Sequence, residues 1–340
     1  MNPHVSIIIL NWNGWKDTIG CLESLYQIDY PNYNVILVDN NSKDDSIEKI
    51  KEYCKGKLTV ESPFFKYDSV NKPINILKFT NNELNTKDGL FQLPSNRKLI
   101  LIENDENYGF AEGNNIGIKY SLENLNTDFV LLLNNDTMVE PQFLNILVNE
   151  ADNENIGILG PNVYYYSEPD KITYIGGDIN CYTGKITHPH LNTTKNNLKN
   201  REIDYICGCS LLIKKKVINE VGLLDPQYFI YYEDTDWCLR AKNKGFKVIY
   251  VPEAKIWHKI SSSINKDSTM ALYYGIRNHF LLIRKNCDFK HLLIFLPVFL
   301  FRKFIFSLFL IFQGRINEFK TVIYAVIDAI NGKYGFKDLD

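Results

Sequence analysis

The sequence predicts an α/β fold followed by an apolar helical region at its C-terminal end. Short apolar runs alternate with longer amphipathic stretches in the first half, which is typical of parallel strands joined by crossover helices on both faces of a sheet. The 340 residues can bury a large core, and contents of 45% hydrophobic and 23% charged residues are ordinary for a globular protein. From His291 onward the chain becomes intensely apolar.

The predicted elements of the first half follow from apolar periodicity. In chain order they are a strand at 5–10, a helix at 15–27, a strand at 34–38, a helix at 44–54, a strand at 98–102, a helix at 110–122 and a strand at 129–133. Glu140 and Pro141 predict the start of a further helix. Residues 55–97 are polar, rich in Asn and Lys and without a clear period, so we expect a surface insertion that could include a short hairpin.

Beyond residue 150 the pattern changes to β-type runs separated by turn residues. Residues 172–188 predict a hairpin. The remaining expectations are a strand at 205–213, a helix at 236–244, a strand at 247–251 and a helix at 268–285. We therefore expect a main domain at 1–265, interrupted by the insertion at 55–97, and a C-terminal helical region at 266–340.

The net charge of −2 conceals a strong asymmetry. Between Arg240 and Lys303 there are 13 Lys and Arg against 3 Asp and Glu, and such a basic block suggests an anionic partner: nucleic acid, phosphorylated lipid or membrane. The seven cysteines are scattered, with Cys207 and Cys209 the only close pair, which predicts free thiols in a reducing compartment. The apolar run at 5–10 is too short for a secretory signal, so we expect the active part to be cytosolic.

Polar side chains follow each predicted parallel strand, at the edge where open α/β sheets bind their ligands. The four strands lead into the segments NWNG (11–14), DNNS (39–42), ENDENYGFAEGNNIG (103–117) and NND (134–136). Each segment alone has a structural alternative, since Asn, Asp and Ser also form turns and helix caps. Four such segments at one edge favour a ligand site. No Gly-x-Gly-x-x-Gly or Walker lysine loop follows the first strand, which disfavours dehydrogenases and P-loop enzymes.

The carboxylates of this edge suit a ribose, a base edge or a hard cation. We expect Asp136 to be a ligand of Mg²⁺ or Mn²⁺, because such ions are often held by few protein carboxylates together with substrate phosphates. A second acidic cluster comprises Glu233, Asp234 and Asp236 at a predicted helix start. Capping and helix-dipole compensation are the structural alternative, but clustered carboxylates also raise one another's pKa, as a general base requires.

With these motifs the chain resembles a family 2 glycosyltransferase of the GT-A fold, in the branch that includes rhamnosyltransferases. The matching segments are VSIIILNWNG, VILVDNNSKDDS, NYGFAEGNNIGI, LLLNNDT, YFIYYEDTDWCLRAKNKGFKVIYVP and His258, which span residues 4–260 apart from the insertion. The resemblance implies a mixed central sheet with helices on both faces. It also implies an inverting transfer from a nucleoside-diphosphate sugar, dTDP-rhamnose or a UDP-sugar, to a hydroxyl of a lipid-linked or polysaccharide acceptor in cell-surface glycan synthesis.

The resemblance also implies roles for individual residues. Donor binding falls to Asn11, Asn13, Asp39, Asn107, Gly109, Asn114 and Asn135. Asp136 and His258 would hold the Mg²⁺ or Mn²⁺ ion, although Asn134 replaces the first aspartate of the family's Asp-x-Asp motif. Asp234 takes the position of the catalytic base. Glu233 joins it in the catalytic cluster, and Asp236 and Trp237 are expected at the acceptor or in bracing the loop.

Residues 291–312 (HLLIFLPVFLFRKFIFSLFLIF) would form a helix about 33 Å long, enough to span a bilayer. Arg302 and Lys303 at its centre and the kink expected at Pro297 favour two half-segments that dip into the cytosolic leaflet instead. We expect a peripheral or monotopic protein on the cytoplasmic side of the membrane, with a polyprenyl-linked glycan acceptor and no nucleic-acid partner. The alternatives for this segment are an oligomer interface and a core-covering helix.

Two other functions remain open from the sequence. A binding protein that kept the fold without catalysis would share every motif named above. A nucleotidyltransferase usually has a glycine-rich, basic loop after the first strand, and NWNGWKD matches that poorly.

Overall fold

The structure is a computed structural model that describes residues 2–80, 94–194, 198–260 and 268–339. The elements up to residue 165 are β1 (Val5–Asn11), α1 (Trp15–Leu25), β2 (Tyr33–Asp39), α2 (Ser46–Cys54), β3 (Asn75–Thr80), β4 (Lys98–Glu103), α3 (Gly109–Asn124), β5 (Phe129–Asn134), β6 (Thr137–Val139), α4 (Phe143–Glu150) and β7 (Ile156–Tyr165). They are followed by β8 (Gly176–Asn180), β9 (Lys185–Thr187), β10 (Arg201–Glu202), β11 (Tyr205–Ile206), β12 (Ser210–Lys214), α5 (Lys215–Val221), α6 (Glu233–Asn243), β13 (Lys247–His258), α7 (Ser268–Asn286), α8 (Phe289–Phe312) and α9 (Ile316–Asn331).

A large mixed sheet forms the centre of the fold, in the strand order β10-β13-β7-β12-β5-β1-β2-β4-β3, and β6 pairs with β13. The strands β5, β1, β2, β4 and β3 are parallel to one another, whereas β12 is antiparallel to both β5 and β7. A smaller sheet has the order β11-β8-β9. The predicted α/β class and the mixed sheet implied by the resemblance are confirmed.

The register of the parallel strands brings their carboxyl ends to one edge. Asn11 at the end of β1 lies beside Asp39 at the end of β2, and Asp39 in turn lies beside Glu103 of β4. On the other side of β1, Leu10 lies beside Asn134 of β5. The predicted convergence of the polar strand ends is therefore present in the structure. It is a consequence of parallel pairing, which places every strand end on the same side.

The insertion at 55–97 contributes to the sheet and is more than a surface excursion. Its residues 75–80 form β3, which pairs in parallel with β4 at the edge of the large sheet. The antiparallel bridge between Ser62 and Phe65 is the part of the described insertion that approaches the expected hairpin. Residues 81–93 lie outside the described ranges.

The strand predicted at 205–213 is divided between two sheets. Its first part is β11, which pairs with β8 in the small sheet, and its second part is β12, which pairs with β5 and β7 in the large one. Residues 207–209 connect the two parts. The division is a tertiary effect, because a continuous apolar run does not reveal which neighbours its two halves will meet. The hairpin predicted at 172–188 is present as β8 and β9.

The C-terminal helices form a cluster with a core of their own. Tyr273, Tyr274 and Phe280 of α7 pack with Phe295 and Phe299 of α8 and with the buried face of α9. The segment expected as two half-segments is one continuous helix, α8, with Pro297 inside it. Within the described residues, α8 is the helix long and apolar enough to cross a membrane by length and composition.

Cys181 and Cys287 form a disulfide that connects the turn between β8 and β9 to the end of α7. The prediction of seven free thiols is therefore wrong for this pair, whereas Cys21, Cys54, Cys207, Cys209 and Cys238 are free. The sequence separation of 106 residues carries no spacing signal, so only the packing of the hairpin on the helical cluster could show this bond.

Candidate active site

The donor side of the site is built on a buried hydrogen-bond network between the ends of β1 and β2. The Asn11 Nδ2 atom donates to Asp39 Oδ1 at 2.7 Å, and the Ser42 hydroxyl donates to the same oxygen at 2.6 Å. The Ser42 amide donates to Asp39 Oδ2 at 2.9 Å. Asn11 and Asp39 are both buried, so these bonds hold the first two strand ends at a set separation.

Asn13 and Asn135 extend this network on either side. Asn13 adopts a positive φ of 51°, and its Oδ1 atom accepts the Lys43 amide at 2.7 Å. Asn135 Nδ2 donates to the Thr18 hydroxyl at 2.9 Å. The exposed side chain of Asn13 lies open to a ligand, and Asn135 connects the NND segment to the first helix.

Asn40 is a residue of the site that the sequence interpretation missed. Its buried amide donates to Asn107 Oδ1 at 2.8 Å, and its Oδ1 atom accepts the Tyr108 amide at 3.1 Å. It therefore ties the loop after β2 to the loop before α3. The signal was present in the DNNS segment, but a run of adjacent polar residues does not show which of them points inward.

The predicted donor residues near α3 divide into two kinds. Asn107 is exposed and accepts the Gly109 amide at 2.9 Å, which shapes the turn into the helix. Gly109 has a φ of +71°, and a Cβ at this position would lie 2.6 Å from the Phe229 carbonyl oxygen, so only glycine fits. Asn114 is buried inside α3, where its Nδ2 atom donates to the Phe110 carbonyl at 2.8 Å. Its contact is internal to the helix.

Asp136 and His258, the two expected metal ligands, lie side by side. The antiparallel pairing of β6 with β13 places His258 opposite Thr137, and His258 Nε2 lies 2.9 Å from Asp136 Oδ1. Burial lowers the pKa of His258, but the hydrogen bond to Asp136 and the charge of that carboxylate outweigh burial and raise the pKa above its ordinary value.

These two side chains fit a divalent cation whose remaining ligands come from the substrate. Asp136 Oδ1 and His258 Nε2 lie 2.9 Å apart, so one oxygen and one nitrogen donor meet at the point where both would hold a divalent cation. Within the described residues no group of three or more His, Cys, Asp or Glu side chains could hold a metal. Mg²⁺ and Mn²⁺ suit such a site, since they accept few protein ligands and use substrate phosphates for the rest.

Asp234 lies in the first turn of α6, half-buried, and three donors hold its carboxylate. The Gly208 amide donates to Oδ2 at 2.6 Å, and the Thr235 amide and hydroxyl donate to Oδ1 at 2.5 and 3.0 Å. Burial raises the pKa of Asp234 above its ordinary value, against the lowering effect of these hydrogen bonds. The raised pKa suits a group that takes up a proton during a reaction.

Glu233 is buried beside Asp234, and burial together with the charge of Asp234 raises the pKa of Glu233 well above its ordinary value. Its Oε2 atom is buried without a hydrogen-bond partner among the residues that the structure describes. A buried carboxyl oxygen of this kind is unfavourable unless a ligand or a proton satisfies it. The expectation that clustered carboxylates raise one another's pKa therefore fits Glu233.

The positions of Asp236 and Trp237 do not fit the predicted contact with an acceptor. Both side chains are fully buried. Asp236 accepts hydrogen bonds from Arg240 Nε at 2.7 Å and from Asn286 Nδ2 at 2.8 Å, and Trp237 Nε1 donates to the Gly222 carbonyl at 2.8 Å. Burial would raise the pKa of Asp236, but Arg240 and Lys285 lower it below its ordinary value. The low pKa and the internal partners indicate a structural role.

Residues 207–209 connect the donor side to the base, which the sequence did not reveal. The Gly208 amide donates to Asp234, and the Cys209 carbonyl accepts the Asn134 amide at 2.9 Å. The hydrogen bond with Cys209 lowers the pKa of the half-buried Cys207 thiol below its ordinary value, against burial and the charge of Asp234, which raise it. The edge of β5 and the start of α6 are thus joined through three residues.

Comparisons with known proteins agree with the family suggested by the motifs. Residues 90–274 match the family profile described as "Glycosyltransferase like family 2", and residues 6–71 match "Glycosyl transferase family 2". The chain is 31% identical over 262 residues to the dTDP-rhamnosyl transferase RfbF of Shigella flexneri, covering 70% of this chain and 80% of that relative. It is 26% identical over 155 residues to an N-acetylglucosaminyl-diphospho-decaprenol L-rhamnosyltransferase of Mycobacterium tuberculosis, covering 41% and 50%.

Two solved structures share the fold. A mannosyltransferase from Pyrobaculum calidifontis in complex with GDP-Man and Mn²⁺ aligns with a TM-score of 0.55 at 11% identity, covering 97% of this chain and 88% of that chain. GalNAc-T7 with UDP, GalNAc and Mn²⁺ aligns with a TM-score of 0.53 at 17% identity, covering 75% and 43%. At these identities the likeness concerns the fold alone.

Proposed function

Because the chain belongs to glycosyltransferase family 2 and has the GT-A fold, we propose that it transfers rhamnose from dTDP-rhamnose to a polyprenyl-linked glycan at the cytoplasmic face of the membrane. A UDP-sugar is the alternative donor. The observation that carries the proposal is the joint placement of Asp234 and the Asp136–His258 pair, connected through residues 207–209. A base and a diphosphate site joined in this way suit glycosyl transfer to a hydroxyl.

The proposed donor and acceptor rest on two relatives. The Shigella flexneri relative is named for dTDP-rhamnosyl transfer, and it aligns with most of this chain. The Mycobacterium tuberculosis relative is named for transfer of rhamnose to a sugar on diphospho-decaprenol. Both names support a rhamnosyl donor, and the second supports a lipid-linked acceptor, from which we infer a role in cell-surface glycan synthesis.

In the proposed mechanism, Asp234 accepts the proton of the acceptor hydroxyl as its oxygen attacks the anomeric carbon. The bond between that carbon and the diphosphate oxygen breaks on the opposite face of the sugar, so the anomeric configuration inverts. The amides of Gly208 and Thr235 hold the Asp234 carboxylate in place while it takes up the proton. Burial and the charge of Asp234 raise the pKa of Glu233, which favours its protonated form and so limits the negative charge beside Asp234.

The nucleoside diphosphate would lie along the strand ends, with Asn11, Asn13 and Asp39 at the nucleoside and Asn107, Gly109, Asn114 and Asn135 near the ribose and phosphates. Asp136 and His258 would hold Mg²⁺ or Mn²⁺ there, and such an ion supplies charge stabilisation to the departing diphosphate. Asn114 would not contact the donor, since its side chain is buried; it would instead stabilise the first turn of α3 through its hydrogen bond to the Phe110 carbonyl.

The exposed surface of the C-terminal helices supports the proposed membrane association. Most of the side chains on the outer face of α8 are large and apolar and lie in solvent: Leu293, Ile294, Leu300, Phe301, Phe304, Ile305, Leu308, Phe309, Ile311 and Phe312. In α9, Ile316, Ile323, Tyr324, Ile327 and Ile330 are exposed at helical spacing. Lys290, Arg302 and Lys320 are exposed beside these faces, a combination that suits an anionic lipid surface.

We keep the division into a GT-A domain at 1–265 and a membrane-associating region at 266–340 as a proposal with one refinement. The boundary itself falls in residues 261–267, outside the described ranges. The helix α7 packs against α6 of the first domain as well as against α8 and α9. It is therefore the element that joins the two regions.

The proposal is tested by incubating the full-length protein and Mn²⁺ with vesicles that carry a polyprenyl-diphosphate sugar. dTDP-rhamnose and UDP-sugars are supplied in turn as donors. We expect sugar-dependent formation of a longer lipid-linked product, with dTDP-rhamnose the best donor. Binding of the nucleotide sugar without transfer to any of these acceptors would indicate a binding protein instead. Transfer to a soluble acceptor alone would contradict the lipid-linked acceptor while leaving the enzymatic class intact.

A further inference from the structure

The segment that leads into Asp234 has a strained backbone that must be held from outside. We call residues 227–232 the base loop, because they immediately precede the helix that carries Asp234. Phe229, Tyr231 and Tyr232 have φ angles of 62°, 69° and 73°, in the left-handed region that bulky residues rarely adopt. Each such residue is unfavourable in isolation and persists only where surrounding contacts enforce it.

Two adjacent side chains of α7 supply these contacts. Asn278 Nδ2 lies within hydrogen-bonding distance of three base-loop carbonyls, those of Tyr228 at 2.8 Å, Ile230 at 2.8 Å and Tyr231 at 3.1 Å. Arg277 Nη2 donates to the carbonyls of Gln227 at 3.2 Å and Tyr228 at 3.3 Å. Both side chains are almost fully buried.

Every nitrogen of the Arg277 guanidinium has a hydrogen-bond partner. Its Nη1 atom donates to the Gly335 carbonyl at 2.6 Å, and its Nε atom donates to Asn278 Oδ1 at 2.9 Å. The guanidinium carbon lies 4.7 Å from the ring centroid of Tyr274 and 5.3 Å from that of Tyr273. A buried charge with this many partners is costly to displace, so it fixes the base loop firmly.

The base loop is held on its other side by the donor region. The Phe229 carbonyl accepts the amides of Phe110 at 2.7 Å and Ala111 at 3.2 Å, in the first turn of α3. One short segment therefore contacts the donor-side helix and α7, and it continues directly into the helix of Asp234. Its position sets the distance between the base and the bound donor.

We propose that Arg277 and Asn278 are positioning residues for glycosyl transfer, which act by holding the base loop so that Asp234 faces the acceptor hydroxyl beside the donor. The inference rests on the proposed function of Asp234. Neither residue touches substrate; both act through the loop backbone. The C-terminal segment takes part, since the Gly335 amide donates to the Gln227 carbonyl at 2.8 Å and the rings of Phe336 and Phe229 lie 5.2 Å apart.

The test compares Asn278→Ala and Arg277→Lys with Asn286→Ala in the full-length protein. Asn286 is a matched control, because it lies on the same helix and its amide donates to Asp236 and to the Leu282 carbonyl, outside the base loop. Turnover, KM for each substrate, donor affinity and unfolding by urea are measured for each variant. We expect kcat of the two loop variants to fall by about 10²-fold with donor affinity unchanged, the cost of a misplaced catalytic group.

Three outcomes decide the inference. It is supported if Asn286→Ala loses stability but keeps its kcat, while Arg277→Lys, which retains the charge, still loses turnover in a folded protein. It is overturned if the folded loop variants turn over like the wild type, or if all three variants lose kcat in proportion to stability. If the wild-type protein transfers no sugar, the proposed function fails. Amide hydrogen exchange then decides the positioning role: Asn278→Ala and Arg277→Lys, but not Asn286→Ala, should accelerate exchange in residues 228–235 and at the start of α3, and unchanged exchange in both loop variants overturns it.

Discussion

The catalytic part of the molecule buries most of its large apolar side chains, whereas the C-terminal helices expose many of theirs. Up to residue 258, four large hydrophobic residues of the described chain are exposed: Trp12, Val70, Tyr174 and Tyr182. From Phe289 onward there are seventeen. The apolar strands of the first part are covered by helices and neighbouring strands. In α8 and α9, the residues packed inward are few and the outer faces are apolar.

The two parts also differ in where their polar side chains lie. At the strand ends, Asn11, Asp39 and Asn40 are buried and satisfied by one another or by their neighbours. In α9 the inward face carries Thr321 and Asp328 beside the small apolar residues Val322, Ala325 and Ala329, whereas isoleucines face outward. The difference teaches that the two parts are built for different surroundings: the first for water and a charged ligand, and the second for an apolar medium that we propose to be lipid.

The largest expected effect concerns the base. Asp234→Asn should lower turnover by about 10²–10⁴-fold, the usual contribution of general-base catalysis, while donor affinity and vesicle binding stay unchanged. In the wild type, kcat should fall as the pH falls through the raised pKa of Asp234, because the base must be ionised. Steady-state kinetics over pH measure both effects. Retention of more than about a third of the wild-type turnover would exclude the assignment.

The next prediction concerns the C-terminal surface, where substitutions should weaken vesicle binding and leave turnover unchanged. Phe301→Asp with Phe304→Asp should weaken sedimentation with anionic vesicles by at least about 10²-fold, since each inserted Phe contributes about 1.5–3 kcal/mol. Turnover on a soluble acceptor analogue should not change. Val70→Asp is the matched control, because Val70 is an exposed apolar residue of the catalytic part. If the wild type, the double variant and Val70→Asp bind vesicles equally, the exposed apolar face of α8 does not bind the membrane.

Deletion of residues 289–340 is a poorer test of the same surface. Phe295 and Phe299 are buried against α7, and Gly335 binds the side chain of Arg277. The truncated protein would expose this core and release one side of the base loop. Substitutions confined to the outer face avoid both consequences.

Asp136→Ala should weaken binding of the nucleoside diphosphate by about 10–100-fold in Mn²⁺, a range typical of damage to a metal site. In EDTA the variant and the wild type should bind alike. Isothermal titration with the nucleoside diphosphate under both conditions measures this. Identical affinities in Mn²⁺ would mean that the NND segment is a turn and that the Asp136–His258 pair has a structural purpose.

The smallest effect concerns the stability of the acidic cluster. The folded-state pKa of Glu233 is raised, so between its ordinary pKa and the raised value the folded protein binds a proton that the unfolded chain has lost. Stability should therefore fall as the pH rises through that window. Glu233→Gln should remove this slope and make the protein relatively more stable at neutral pH. Urea unfolding at several pH values measures the slope, and the same slope in both proteins would contradict it.

Local pattern was enough to predict much of the fold and part of the site. Apart from β3 in the insertion and the short β6, the elements of the first half were expected within a few residues of their bounds, because each has its own apolar period. Residues such as Asn11, Asp39 and Asn134 could be grouped because parallel strands end at one edge. Which of them touch a ligand could not be predicted. Asn114 and Asp236 look like site residues in the sequence, but both are buried with internal partners.

By itself the sequence determined the α/β class, the polar edge of the sheet, the family motifs and the apolar C-terminal region, since these depend on local composition and period. The tertiary structure alone decided which distant residues meet. It paired β6 with β13 so that His258 reaches Asp136, divided residues 205–213 between two sheets and joined Cys181 to Cys287. It also placed Arg277 and Asn278 on the base loop. These contacts join segments far apart in the chain, and their partners are chosen by packing and burial, which no local pattern records.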